Sequence, residues 1–397
     1  MALTGNEATA FGALAAGCRF FASYPITPAT EIMEWLAREM PKFGGTVLQS
    51  EDEISAINSV VGASFGGIRS MTATSGPGMS LKLETIGLAA MAELPIVVVD
   101  VQRGGPSTGI PTKTEQADLL QAIHGMHGDA PHAVLAPSDV EDCFEVAWRA
   151  FKIAEEYQMP VIILSDQFIG HRKETVSPFD IGKINIADRA TPQLKEGSRY
   201  HRYEDTATGV SPTTWPGMKG GEYLASGIEH TEEGSPSSQY ETHEKMSAKR
   251  QRKIDALAKE YKFIRRYGSQ KPRVGVLGWG SSKGAIREAV EKLNKNGLEV
   301  AALIPQLMYP LQTEEIKKFV SSCKQLLVVE LSYSGQFMRY LGGEALLPPN
   351  TLSYRSGGGR VFSSLEIEKA IHAAAEGQTY KAEAPTAPRK MMGKDEE

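Results

Sequence analysis

Cysteine is scarce in this chain: of 397 residues only Cys18, Cys143 and Cys323 carry a thiol, and they stand far apart. An odd, scattered set argues against a disulfide framework and lacks the close spacing of zinc or iron–sulfur sites. Any redox centre used by the protein is therefore expected on another chain. Long apolar runs are missing too, and none reaches the roughly 18 residues of a membrane span. No basic segment followed by an apolar core opens the sequence, so the cytoplasm is the expected location. Positive charge is not in excess. With 43 Lys and Arg against 48 Asp and Glu, the net charge is −5, which gives no ground for a nucleic-acid or membrane partner. Ser75-Gly76-Pro77-Gly78 lacks the ending of a P-loop, and Gly284 comes one residue late to complete a dinucleotide fingerprint with Gly278-Trp279-Gly280. His124 and His127 have no third ligand nearby to make a metal site.

What is present is an ordinary globular balance, 41% hydrophobic and 23% charged, in a chain long enough for two domains. Thr4 and Glu7 have the spacing of a capping box, before a helix that buries Ala8, Phe11, Leu14 and Ala15 and stops at Gly17. A strand over 19–23 runs into Tyr24-Pro25-Ile26-Thr27-Pro28-Ala29-Thr30, with Thr27 spaced as an N-cap and Pro28 as the first helical residue. Another strand (46–49) precedes Ser50 and Glu53, again spaced as a capping box, and a helix burying Ile54, Ile57, Val60, Val61 and Phe65. Further strands are expected at 69–74, 96–101, 133–135 and 161–164, with helices up to Met91 and over 114–123 and 138–157. This alternation predicts a doubly wound parallel α/β sheet over residues 1–177. Residues 178–268 break the rhythm: polar and rich in Gly, Ser, Thr and Pro, they read as an extended arm ending in a basic helix over 243–267, or as a partly disordered linker. The rhythm returns over 269–377 as a smaller α/β unit, and 378–397 read as a disordered tail.

Three polar residues, Thr27, Glu51 and Arg103, each follow the carboxyl end of a predicted strand, the edge where doubly wound sheets bind ligands. They offer a hydroxyl, a carboxylate and a guanidinium suited to a carboxylate ligand. Taken singly, Glu51 reads equally as a helix-dipole residue, Arg103 as a surface ion pair, and the Thr27 turn as a plain cap.

The order of YPITPAT, Gln49-Ser50-Glu51, Thr74-Ser75-Gly76-Pro77-Gly78 and the stretch from Gln102-Arg103 to Pro111-Thr112 resembles the alpha subunits of 2-oxoacid:ferredoxin oxidoreductases, most closely the 2-oxoglutarate type. Gly5-Asn6-Glu7-Ala8 resembles the opening of such subunits, and the likeness covers nearly the whole chain. The resemblance implies a pyrimidine-type thiamine-diphosphate-binding domain, the arm, and a transketolase C-terminal-like domain. It implies oxidative decarboxylation of a 2-oxoacid with coenzyme A to acyl-CoA and CO2, with ferredoxin as electron acceptor. Glu51 matches the glutamate at the aminopyrimidine ring, beside Pro25 and Ile26 of the cofactor turn. Thr27, Arg103 and Thr112 match substrate-binding positions.

The diphosphate and Mg2+ of thiamine need a Gly-Asp-Gly stretch, which this sequence lacks. A beta subunit carrying diphosphate, Mg2+ and an iron–sulfur cluster is expected, with gamma and delta chains separate where they occur. A branched-chain or broad 2-oxoacid enzyme, a non-catalytic assembly subunit and a nicotinamide-dependent dehydrogenase are the alternatives.

Overall fold

The capping box of the first helix forms: Thr4 Oγ1 accepts from the Glu7 N–H at 3.2 Å, and the Thr4 N–H donates to Glu7 Oε2 at 2.8 Å. The computed structural model describes residues 1–194 and 199–381, so most of the expected tail, from 382 on, lies outside the described residues. The chain begins β1 (Ala2–Thr4), α1 (Gly5–Ala15), β2 (Phe20–Ser23), α2 (Thr30–Glu39), β3 (Thr46–Gln49), α3 (Glu53–Phe65) and β4 (Ser70–Thr74). It continues α4 (Gly76–Met91), β5 (Ile96–Gln102), α5 (Leu119–His124), β6 (Ala133–Leu135), α6 (Val140–Tyr157), β7 (Pro160–Asp166), α7 (Gln167–His171) and β8 (Lys173–Thr175).

Strands β3-β2-β4-β5-β7-β6 line up in that order, all parallel. The chain steps one way from β2 to β3 and then back across β2 to β4. That reversal opens a crevice at the carboxyl ends of β2 and β4, the topological switch point where ligands sit in such sheets. Every residue of β5 and β7 is buried, because helices cover both faces.

The arm lies on this unit. Arg189 makes a buried pair with Glu155, Nε to Oε2 at 2.7 Å, and Arg202 Nη2 donates to the Glu93 carbonyl at 2.8 Å. The expected basic helix is α8 (Tyr240–Glu260), shorter than read. The segment Ile264–Gly268 is instead a strand, β9, because the open edge of a neighbouring strand offers its backbone a partner. The second unit then runs β10 (Val274–Leu277), α9 (Lys283–Lys295), β11 (Val300–Pro305), β12 (Leu307–Tyr309), α10 (Thr313–Ser322) and β13 (Gln325–Glu330). It ends α11 (Gln336–Gly343), β14 (Leu352–Arg355) and α12 (Ser364–Ala375). Its sheet order is β14-β13-β10-β11-β9, with only β9 antiparallel. Strand β12 leaves this sheet and adds antiparallel to β6, so the two units share an edge.

Candidate functional site

The YPITPAT turn is held by distant donors rather than by its own cap. Helix α2 starts at Thr30 behind Ala29, with no side-chain cap. The expected Thr27 cap does not form: Asn6 Nδ2 donates to the Pro28 carbonyl at 2.7 Å, and Arg103 Nη1 donates to the Thr27 carbonyl at 2.6 Å. Two strong tertiary bonds outweigh one local cap worth about 1 kcal/mol. Thr27 keeps its side chain exposed, while Pro25 and Ile26 are half-buried beneath it. The structure thus joins Thr27 to Arg103. Thr112 lies exposed on the loop beyond, whose base is pinned by the Gly104 N–H to the Lys113 carbonyl at 2.9 Å.

The helix after β3 also starts differently from the expectation. Asp52, not Ser50, is the N-cap: its carboxylate accepts from the Ser55 N–H at 2.7 Å, so Glu53 is the first helical residue rather than the third. Asp52 competes well because a charged acceptor makes the stronger cap bond. Glu51 and Ile54 are left exposed, Phe65 half-buried. Glu53 is 7% exposed and continues the buried stripe of Ala56, Ile57, Val60, Val61 and Ser64.

The floor below Glu53 is glycine for a steric reason. A Cβ at Gly78 would collide with Thr74 Oγ1 and come within 2.6 Å of Glu53 Oε1. Lys82, fully buried on α4, donates to the Glu53 carbonyl at 2.9 Å. Burial pulls its ammonium down to about 8, against the opposing pull of Glu53 and Asp52. Glu53 thus sits at the switch point, packed against the turn after β4.

Arg103 is buried, which lowers its pKa, while Asp118 and Asp100 draw it back up. Neither aspartate was singled out from sequence. Asp100 is fully buried near the end of β5 with both carboxylate oxygens unpartnered among the described residues. The signal was available: an acid within the apolar run Ile96–Val101 must have a reason to be there. The segment expected as helix from Thr114 is irregular as far as Asp118, because Gln116 and Gln336 cross-link it to the second unit. Gln116 Nε2 donates to the Trp279 carbonyl at 2.8 Å, and its Oε1 accepts from the Leu331 N–H at 2.8 Å. Glu115 Oε2 accepts from the Gly105 N–H at 3.0 Å and so ties the two ends of the loop together.

Residues 11–249 match the family described as pyruvate flavodoxin/ferredoxin oxidoreductase, thiamine diphosphate-binding, and residues 273–345 match the pyruvate:ferredoxin oxidoreductase core domain II. The chain is 39% identical over 337 residues to the 2-oxoglutarate synthase subunit KorA of Methanothermobacter marburgensis, covering 84% of this chain and 88% of that one. It is 37% identical over 371 residues to the subunit of the same name from Methanocaldococcus jannaschii, covering 93% and 98%. A solved 2-oxoglutarate:ferredoxin oxidoreductase from Magnetococcus marinus, with 2-oxoglutarate, coenzyme A and succinyl-CoA bound, matches with a TM-score of 0.91 at 40% identity. That match covers 94% of this chain and 65% of the solved one.

Proposed function

Because the chain belongs to the pyruvate flavodoxin/ferredoxin oxidoreductase family, we propose that it is the alpha subunit of a 2-oxoglutarate:ferredoxin oxidoreductase and supplies half of a thiamine site. The reaction is oxidative decarboxylation of 2-oxoglutarate with coenzyme A to succinyl-CoA and CO2, with electrons passed to ferredoxin. The residues present fit the aminopyrimidine half of the cofactor: a buried acid on α3 faces a glycine turn that leaves no room for a Cβ, at the switch point of the sheet. The sequence has no Gly-Asp-Gly stretch and only three scattered cysteines, so diphosphate, Mg2+ and the iron–sulfur cluster are assigned to a beta subunit. Thiamine diphosphate, when bound, supplies the carbanion chemistry that releases CO2 from a 2-oxoacid.

In this reading a carboxyl of the β3–α3 turn holds and moves the proton at the ring nitrogen of the aminopyrimidine. Motif order favours Glu51. Burial seals Glu53 beneath the first turn of α4, whereas Glu51 stays open on this chain, as a residue of a half-site completed by another chain must be. We assign the relay to Glu51 and read Glu53 as part of the floor below it. Arg103 offers the substrate carboxylate a guanidinium braced on the Thr27 carbonyl; the Thr27 and Thr112 hydroxyls complete the polar lining.

The observation that carries this reading is the Arg103–Thr27 bond, with Glu51 at the carboxyl end of the strand next to β2, in a chain of this family. The test is reconstitution with the beta subunit and measurement of coenzyme A-dependent ferredoxin reduction on 2-oxoglutarate, 2-oxoisovalerate and pyruvate. Preference for 2-oxoglutarate is expected, with no 2-oxoacid oxidation by the isolated chain. Turnover by the chain alone, or preference for 2-oxoisovalerate, overturns it.

A further inference from the structure

Beneath Arg103 lies a set of buried polar atoms that the reading above does not use. Asp100 is inaccessible to solvent, and both its oxygens lack a hydrogen-bond partner among the described residues. Asp118 Oδ2 is sealed and unpartnered in the same way, and so is Arg103 Nε. Both carboxylates are fixed by backbone. Asp100 pairs in register with Thr74 of β4 and Leu164 of β7, while the Asp118 N–H donates to Gln102 Oε1 at 3.0 Å. The Asp118 carboxyl lies against the Gly76 turn, where an added Cβ would be 3.0 Å from Oδ2.

Asp100 is fully buried and Asp118 half-buried with one oxygen sealed, so ionising both is costly, and one arginine cannot neutralise both. A proton retained by one of the pair reduces that cost. It leaves a pair of charge −1 against the +1 of the guanidinium. Burial followed by the charge of Asp118 pushes Asp100 well above the usual carboxylate range. Burial, then the nearby Glu115, pushes Asp118 up to about 7, with Arg103 opposing. The other ionisable groups around the pair are Glu115 on the loop, Asp166 at the end of β7, and Glu53 with Lys82 across the glycine turn on α3 and α4. Glu115 is spoken for by the Gly105 N–H, Asp166 by the Ile169 N–H at 3.1 Å, and Lys82 by the Glu53 carbonyl.

We propose that Asp100 and Asp118 are positioning residues for Arg103: with a proton retained by one of them, they set how strongly that arginine attracts an anionic substrate. This rests on reading Arg103 as the arginine that binds the 2-oxoacid. Below the upper titration of the pair, one carboxyl stays protonated and the single negative charge balances the arginine. Above it, both are ionised, the site is net negative and anion binding weakens.

The test is the pH dependence of kcat and KM for 2-oxoglutarate in the assembled enzyme, compared with Asp118→Asn. Wild type should show KM rising by about tenfold from about pH 6 to about pH 8, with a smaller change in kcat. Asp118→Asn, which keeps the shape without the titration, should flatten that rise, and Asp118→Ala should raise KM at every pH. Infrared spectra of the isolated full chain supply a readout that needs no turnover. A buried protonated carboxyl band should be present at about pH 6 and be lost in the Asp100→Asn, Asp118→Asn double variant. No such band in wild type, or an unchanged KM profile in Asp118→Asn, overturns the proposal. Failure of the underlying functional reading looks different, because the wild-type complex then turns over no 2-oxoacid at all.

Discussion

Two buried charge clusters lie in the first unit, and they are built on opposite plans. At the end of α4, Glu93 is fully buried between Lys249 and Lys253 of α8, with Lys249 Nζ to Oε1 at 2.5 Å and Lys253 paired to Oε2. Burial alone would raise Glu93, but Lys253, Lys249 and Arg202 hold its carboxyl far below the usual range. Each of its carboxylate oxygens has a cationic partner. At the carboxyl edge of the sheet, by contrast, Asp100, Asp118 and Arg103 leave sealed atoms without partners. A satisfied buried cluster fastens one element to another, whereas an unsatisfied one calls for a separate reason to persist. The first cluster docks α8 and the arm, and the second lies at the carboxyl edge of the sheet, under the proposed substrate arginine.

The largest effect expected from breaking this contrast is structural. Glu93→Ala leaves two lysines buried without a counter-charge and should cost about 3–5 kcal/mol of unfolding free energy. Denaturant titration measures it, and a loss within about 1 kcal/mol would show the cluster to be dispensable. At the other cluster the cost should appear in rate instead. Glu51→Gln should leave the chain folded and able to associate, yet slow turnover by about a hundredfold or more, while Glu53→Gln should have a smaller effect. If the order of those two reverses, the relay belongs to Glu53. Arg103→Ala should weaken 2-oxoacid binding by about tenfold or more, read by substrate titration of the complex. An unchanged affinity returns Arg103 to a purely structural role on the Thr27 turn.

The smallest effect concerns acid. Glu229 is lowered to about 2 by Arg250 and His243 against the upward push of burial. Its folded value therefore lies below the unfolded one of about 4.3, so its stabilising contribution is complete above that pH and fades as pH falls toward 2. In Glu229→Gln the acid-unfolding midpoint should move by only a few tenths of a pH unit, since an exchange of about 1 kcal/mol is at stake. An identical midpoint would mean that the Arg250 pair does not hold the arm.

How much of this could be read from sequence depended on whether local or distant partners decide a residue's place. The Thr4–Glu7 capping box and α10 were legible because their patterns are satisfied by their own neighbours. The Thr27 cap failed because Asn6 and Arg103, both remote in sequence, hold that turn. Strand β9 looked helical because its pairing partner, β11, lies beyond the window in which periodicity is judged. At the site, Thr27 and Arg103 were found at one sheet edge and the structure joins them directly. Glu53 reads as a capping residue and is instead a buried member of the α3 stripe, since Asp52 takes the cap. Asp118 had none, since only the fold brings it beneath Arg103.

Strand β12 has a consequence for the making of the chain. Until residues 307–309 are synthesised, the outer edge of β6 has no neighbour and presents bare amide and carbonyl groups. At ordinary ribosomal speeds that edge stays open for on the order of ten to thirty seconds. Three residues long, that edge is a short one to leave open; a product cut short before Leu307 would keep it, whereas the full chain seals its own seam from within.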